Sequence, residues 1–311
     1  MATLLDFRRR IRSVKSTQQI TRAMKFVAAA RLRRAQERVV AARPYAREIL
    51  NVLRSAVSRL ENFSHPLLLR RPELRLLVVV ISGDKGLAGA FNTNVLRKVT
   101  EFLGQHAQQK LQVIAVGRKG RDAIRRRRLE IVAELINVSA NVEFRHAKEI
   151  AEKVTAMYAA DEVDAVYIIY NEFKSVMHQH MIIEKLLPVD PETFAGTPAE
   201  DSAGEGRAGE TRAGEIRTGE APAAAPVDYI YEQPPAQIFE RLVPRYVEGE
   251  IYRTLLESAA AEHAARMTAM DSATNNAADL IEQITLHMNK VRQAAITKEI
   301  IEVVSGAASA G

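Results

Sequence analysis

The sequence predicts a mixed α/β fold in which the N- and C-terminal segments form a long antiparallel two-helix coiled coil and an α/β domain is inserted between them. Three observations predict it. Apolar and small residues recur every 3.5 positions at both ends of the chain, strand-like and helix-like segments alternate in the middle, and a charged Gly-rich repeat separates the middle from the second helix.

The first helix follows from one heptad register: Leu4, Phe7, Ile11, Val14, Gln18, Thr21, Lys25, Ala28, Leu32, Ala35, Val39, Ala42, Ala46, Ile49, Leu53, Ala56 and Leu60. A helix of that length spans roughly 85 Å, with a bend allowed at Pro44. The C-terminal seam runs through Leu256, Ala260, His263, Met267, Met270, Thr274, Ala277, Ile281, Ile284, Met288, Val291 and Ala295. It predicts a second helix from about Arg245 to Val304, with Pro244 near its start.

Between the helices, "ELRLLVVVIS", "LQVIAVG" and "EVDAVYIIYNEF" read as strands. The segment after Phe91, Arg118 to Arg127 and His146 to Ala159 read as helices. Such alternation gives a Rossmann-like domain with a mainly parallel sheet, to which "VMHQHMIIEKLLP" adds an antiparallel edge strand. Between Gly196 and Pro226, RAGET, RAGEI and RTGEA repeat with a composition that cannot bury a core, which predicts a mobile loop or linker. The resulting division is 1–62 for the first coiled-coil helix, 70–190 for the α/β domain, 191–227 for the low-complexity loop and 228–311 for the second helix.

Composition narrows the function. The 311 residues include no cysteine, which excludes disulfides, thiolate metal sites and thiol switching, and the net charge of +6 favours acidic partners. The longest purely apolar run, Leu76 to Ile81, is too short to cross a bilayer. "MATLLDFRRR" places its charges after a short apolar patch, the reverse of a secretory signal, so an intracellular protein beginning near Met1 is expected.

The motifs that suggest chemistry are weak. "SGDKGLAGAFN" follows a strand and opens a helix, but Lys85 comes too soon after Gly83 for a P-loop and no Ser or Thr follows it, so a tight structural turn is expected. His178 and His180 lack further ligands and read as part of a solvated edge strand. "RKGRDAIRRRR" has no interleaved aromatics for stacking on bases and reads as a solvated helix face. Residues 8–36 are more unusual. They carry ten lysines and arginines, and Gln18, Thr21 and Lys25 make three successive seam positions polar, which predicts weak packing there and charge presented to a partner.

"IRSVKSTQQITRAMKFVAAARLRRAQ", "SGDKGLAGAFNTN" and "NKVRQAAITKEIIEVVSGAAS" closely resemble the gamma subunit of F-type ATP synthases, in family order and over all of the chain except the linker. The last block carries the family signature as Ile296, Thr297, Glu299, Glu302, Gly306 and Ala307. The resemblance implies a non-catalytic rotor shaft without cofactors, coupling ion flow through a membrane ring to ATP synthesis or hydrolysis. Its implied partners are three alpha and three beta subunits, an epsilon subunit and the c-ring, on the cytoplasmic side of a bacterial inner membrane. It also implies beta-subunit coupling contacts at Arg22, Met24, Lys25, Arg266, Arg292, Gln293, Thr297, Glu299 and Glu302, with Met24 near Arg292 and Gln293 across the helix pair. Ring contacts are implied at Tyr229, Tyr231 and Glu232. Plant chloroplast members carry a cysteine-bearing regulatory insert near the linker, and this chain has no thiol there. The alternatives are a coiled-coil nucleic-acid binder, favoured by the basic helix, and a nucleotide-dependent enzyme using the Gly-rich turn.

Overall fold

A computed structural model describes residues 3–59, 65–176, 178–195 and 232–309. In chain order the elements are α1 (Leu4–Val57), β1 (Arg75–Ile81), α2 (Phe91–Gln105), β2 (Lys110–Val116), α3 (Arg118–Arg126), β3 (Glu130–Leu135), α4 (Phe144–Ala159), β4 (Ala165–Phe173), β5 (Gln179–Leu187), α5 (Glu192–Ala195) and α6 (Pro235–Ser309). The low-complexity repeat, and the mobility expected of it, lie outside the described residues.

A reciprocal cap starts α1. The Thr3 hydroxyl accepts from the Asp6 amide, while the Asp6 carboxylate accepts from the Thr3 amide at 2.9 Å. The bonds to the Thr3 backbone and hydroxyl hold the Asp6 carboxyl below its usual range. α1 then runs through Pro44 without ending. Every predicted seam position from Leu4 to Ala56 is buried or half-buried, and so is every one from Leu256 to Ala295 on α6. Phe7 meets His287, Lys25 meets Asp271, and Leu32 and Ala35 share a cluster with Ala260 and Ala264, so the two helices run antiparallel.

α6 starts a good two turns earlier than its heptad pattern suggests and carries Pro244 in its interior. A proline there leaves the carbonyl four residues back without its helical donor. That carbonyl belongs to Glu240, and the His65 ring bonds it. The other ring nitrogen, Nδ1, accepts from the Leu67 amide at 3.1 Å, so the imidazole is neutral, and burial holds its pKa down. Phe239, Val243 and Val247, all buried around the proline, supply the packing that keeps this stretch helical.

The sheet has the order β3-β2-β1-β4-β5, with every pairing parallel except the antiparallel β4–β5. Its alternating side chains serve two cores. Leu76, Val78 and Val80 pack on α2 and α3, whereas Leu77, Val79 and Ile81 join α4, the end of α1 and the first third of α6 in one continuous cluster. The sheet therefore shares its core with the coiled coil. β3 was not foreseen, because "EIVAEL" is a short edge strand with acids at both solvent-facing ends of its pattern.

Arg253 stitches the same junction. Its guanidinium makes two bonds to Glu184 at 3.0 and 3.2 Å, reaches Glu250 at 2.8 Å and Glu257 at 3.3 Å, and lies over the Tyr170 ring. Burial alone would lower its pKa, but the surrounding carboxylates and Tyr170 raise it, so the cation is secure. Burial also raises the pKa of Glu250 and Glu257.

Candidate functional site

Two features stand apart from ordinary packing: the polar stretch of the seam with the basic surface around it, and the free end of α6. In the seam, the Gln18 amide reaches the Thr274 carbonyl at 3.5 Å, the Thr21 and Thr274 hydroxyls lie 2.8 Å apart, and Lys25 Nζ donates to Asp271 at 2.6 Å. The polar seam is thus satisfied across the pair, which corrects the expectation that its own side chains turn to an outside partner. The outward charges differ. Arg8, Arg9, Arg10, Arg12, Lys15 and Arg22 are exposed, and none forms an ion pair among the described residues. Exposed Ile20, Phe26 and Val27 lie among them.

Near residue 291 α6 passes the start of α1 and continues alone to Ser309. These 18 or so residues extend roughly 27 Å. On this stretch Ile296, Ile300, Ile301, Val303 and Val304 are 48 to 71% exposed, an apolar surface with no covering element among the described residues. Arg292, Gln293, Thr297 and Glu299 are exposed here too, and Glu302 continues the helix with its side chain outside the described residues. The antiparallel register sets Met24, half-buried, opposite residue 271. Arg292 and Gln293 are therefore about 30 Å further along the axis, not beside Met24.

Arg266 has a different environment. Its side chain is 11% exposed, pairs with Glu262 at 2.5 Å and donates toward the Lys85 and Gly86 carbonyls at 3.5 and 3.4 Å. These bonds dock the Gly-rich turn on α6. Gly83 is required there, since a Cβ would come within 2.9 Å of the Glu262 carboxyl carbon. Asp84 accepts from the amides of Arg118 and Asn137 and from the Ser139 hydroxyl, tying together the C-terminal ends of the parallel strands. In open α/β sheets that edge is where ligands bind. Here Ser258 and Glu262 of α6 fill it, leaving a void of about 10 Å³. The expected structural turn is thus one that docks on α6. The one sequence signal for this latch is the i, i+4 spacing of Glu262 and Arg266 beside the seam.

Four of the six arginines of the run that includes α3 have partners within the fold: Arg121 with Asp122, Arg125 with Glu134, Arg127 with Thr100 and Arg118 with Asn137. His180 pairs in register with Glu172 at the outer end of β5, and His178 precedes that strand. Among the described residues no three potential metal ligands come together. Glu232 is exposed just before α6, at the end opposite the bare tip, while Tyr229 and Tyr231 lie outside the described residues. No described helix is long and apolar enough to cross a membrane.

Comparison with known proteins agrees with this geometry. The family profile described as ATP synthase matches residues 3–310. A relative from Solibacter usitatus named ATP synthase gamma chain is 50% identical over 315 residues, covering 100% of both chains. One of the same name from Pelotomaculum thermopropionicum is 44% identical, covering 99% of each. Among solved structures, a chain of the Tetrahymena thermophila mitochondrial ATP synthase central stalk and c-ring is 25% identical with a TM-score of 0.54, covering 82% of this chain and 99% of that one. A chain of the Euglena gracilis mitochondrial ATP synthase has a TM-score of 0.64 at 20% identity, covering 98% and 94%, and so shares the fold.

Proposed function

Because the chain belongs to the ATP synthase gamma-chain family, we propose that its coiled coil is the central rotor shaft, turning inside a ring of alpha and beta subunits and carrying no catalytic site of its own. The observation that carries this reading is the exposed basic collar around the upper shaft, continued by the bare end of α6. The proposed division of the chain follows the same logic, with shaft helices at 1–62 and 228–311, a base at 70–190 and a loop at 191–227, except that α5 belongs with the base because Phe194 is buried in its core.

A shaft drives three identical catalytic subunits into different states only if it binds those states unequally. Two helices of unequal length and a one-sided collar supply that asymmetry. Charges on exposed side chains act over about a Debye length, roughly 8 Å at physiological salt, and need no dry fit. Arg22 and Met24 on the collar, with Lys25 held by Asp271, are the proposed contacts to acidic loops of the beta subunits. Arg292, Gln293, Thr297, Glu299 and Glu302 are the proposed contacts of the free end. Arg266 contributes by fixing the Gly-rich turn to the shaft. At the other end, Tyr229, Tyr231 and Glu232 are proposed to meet the polar loops of the c-ring, with an epsilon subunit on the base. The complex would then be a peripheral assembly on the cytoplasmic side of a bacterial inner membrane, coupling proton or other ion transport to ATP synthesis.

The test is native mass spectrometry of the tagged chain purified from its own membranes. Co-purification with three copies each of two larger subunits is the expected outcome. Co-purification with nucleic acid and no such subunits would overturn the proposal.

A further inference from the structure

Three arginines of α1 converge on one cavity. Arg31, Arg34 and Arg38 are spaced i, i+3 and i+7, so they share a helix face. That face looks onto the loop between β3 and α4, where Ser139, Asn141 and Val142 join His263 of α6 to enclose a half-open cavity of about 200 Å³. Arg38 is fixed in its wall, with Nη1 donating to Asn141 Oδ1 at 2.7 Å and to the Val142 carbonyl at 3.2 Å. Arg31 and Arg34 are exposed and have neither an ion pair nor a hydrogen bond among the described residues.

No acid lines the cavity, and the acids next to lining residues in sequence, or bonded to them, are already engaged. Glu37 takes Arg33 at 3.1 Å, and Glu143 takes Arg145 at 2.7 Å and the Asn141 amide at 2.7 Å. Asp84 is held by the strand ends described above. On the floor, His263 is bonded to the Ser139 carbonyl and kept neutral by burial and by the nearby Arg266 and Arg31. The Glu262 carboxylate on the same helix is taken by Arg266. Among the described residues, then, two guanidinium groups stand at the cavity with no anion bonded to them.

The cavity is larger than one or two waters, each of which takes about 30 Å³ of liquid, and too small for a folded peptide segment. Guanidinium forks match tetrahedral oxyanions through paired N–H donors. We propose that the cavity between α1, α6 and the β3–α4 loop is a binding site for a phosphate-class oxyanion, held by Arg31 and Arg34 against the wall fixed by Arg38. An ion there would bridge the shaft helix to the α/β domain, next to the Arg266 latch.

The test titrates the full-length chain with inorganic phosphate, pyrophosphate and ADP in separate arms, with ionic strength held constant by chloride. Calorimetry gives affinity, and the His263 ring resonances, assigned with His263→Asn, report occupancy of this cavity. Saturable phosphate binding that moves the His263 signals is expected, weakened at least tenfold in Arg31→Gln/Arg34→Gln and unchanged in Arg97→Gln, which removes an exposed arginine of α2 outside the cavity lining. ADP and pyrophosphate should bind alike if the phosphate groups are what is recognised. ADP binding tenfold tighter than pyrophosphate would mean that the base is read, and would overturn the assignment to a simple oxyanion. Absence of saturation, or equal binding in the double variant, would overturn the site itself.

Discussion

Lys25 and Asp271 meet across the two-helix seam at 2.6 Å, and this pair marks the register that decides which residues of the shaft are neighbours. It places Met24 beside an acid already engaged by Lys25, with Arg22 facing outward.

Met24→Lys adds a cation next to Lys25 that Asp271 is poorly placed to absorb. If the collar meets acidic loops, the new charge over-stabilises one rotational state by about 1 to 3 kcal/mol as a charge-assisted hydrogen bond. ATP hydrolysis should survive while ATP-driven acidification falls, both measured on the same membrane vesicles. Equal loss of both activities, or no change, removes Met24 from the coupling contact. Rescue by Arg292, Gln293 or Thr297 would have to act through the free end of α6, since those residues lie about 30 to 40 Å away along the helix.

Two arginine or lysine pairs should behave very differently in urea unfolding. Lys25 and Asp271 are 36% and 47% exposed, so Lys25→Met should cost at most about 1 kcal/mol. Arg253 sits among Glu184, Glu250 and Glu257, and Arg253→Met leaves those carboxylates facing one another at a cost of about 3 to 5 kcal/mol. A small effect at Arg253 would mean that the junction is open to water.

Stability should fall in mild acid through His263. Burial, followed by Arg266 and Arg31, lowers its pKa from 6.5 to about 4, so below pH 6.5 the unfolded chain binds a proton that the folded chain refuses. Its contribution is full above pH 6.5 and is lost as pH falls toward 4, by up to about 3 kcal/mol. The stability difference between the parent chain and His263→Asn should therefore shrink across that window. A difference independent of pH would show that the ring is solvated.

Apolar truncations should separate the paired shaft from its free end. Leu53 is fully buried, and Leu53→Ala should cost about 2 to 5 kcal/mol in the isolated chain. Ile300 is 58% exposed, so Ile300→Ala should cost less than about 0.5 kcal/mol there while weakening assembly with alpha and beta subunits. Unimpaired assembly would mean that the tip has no apolar partner.

The two seams and the strands β1, β2, β4 and β5 were legible because each depends on local side-chain patterning. The heptads named every seam residue, yet they could not say that Thr21 faces Thr274 and not a residue near Arg292. A repeating pattern fits many registers, and only the docking of both helices on the sheet selects one. The start of α6 was hidden for a related reason. Pro244 locally argues for a helix beginning, and it took His65, 179 residues earlier in sequence, together with the buried Phe239 and Val243, to keep the helix intact through it. The roles of Arg266 and of the Arg31, Arg34 and Arg38 row were equally out of reach. Charge is written in the sequence, but whether an arginine is matched depends on which backbone carbonyls and carboxylates the tertiary fold brings within about 3 Å of it.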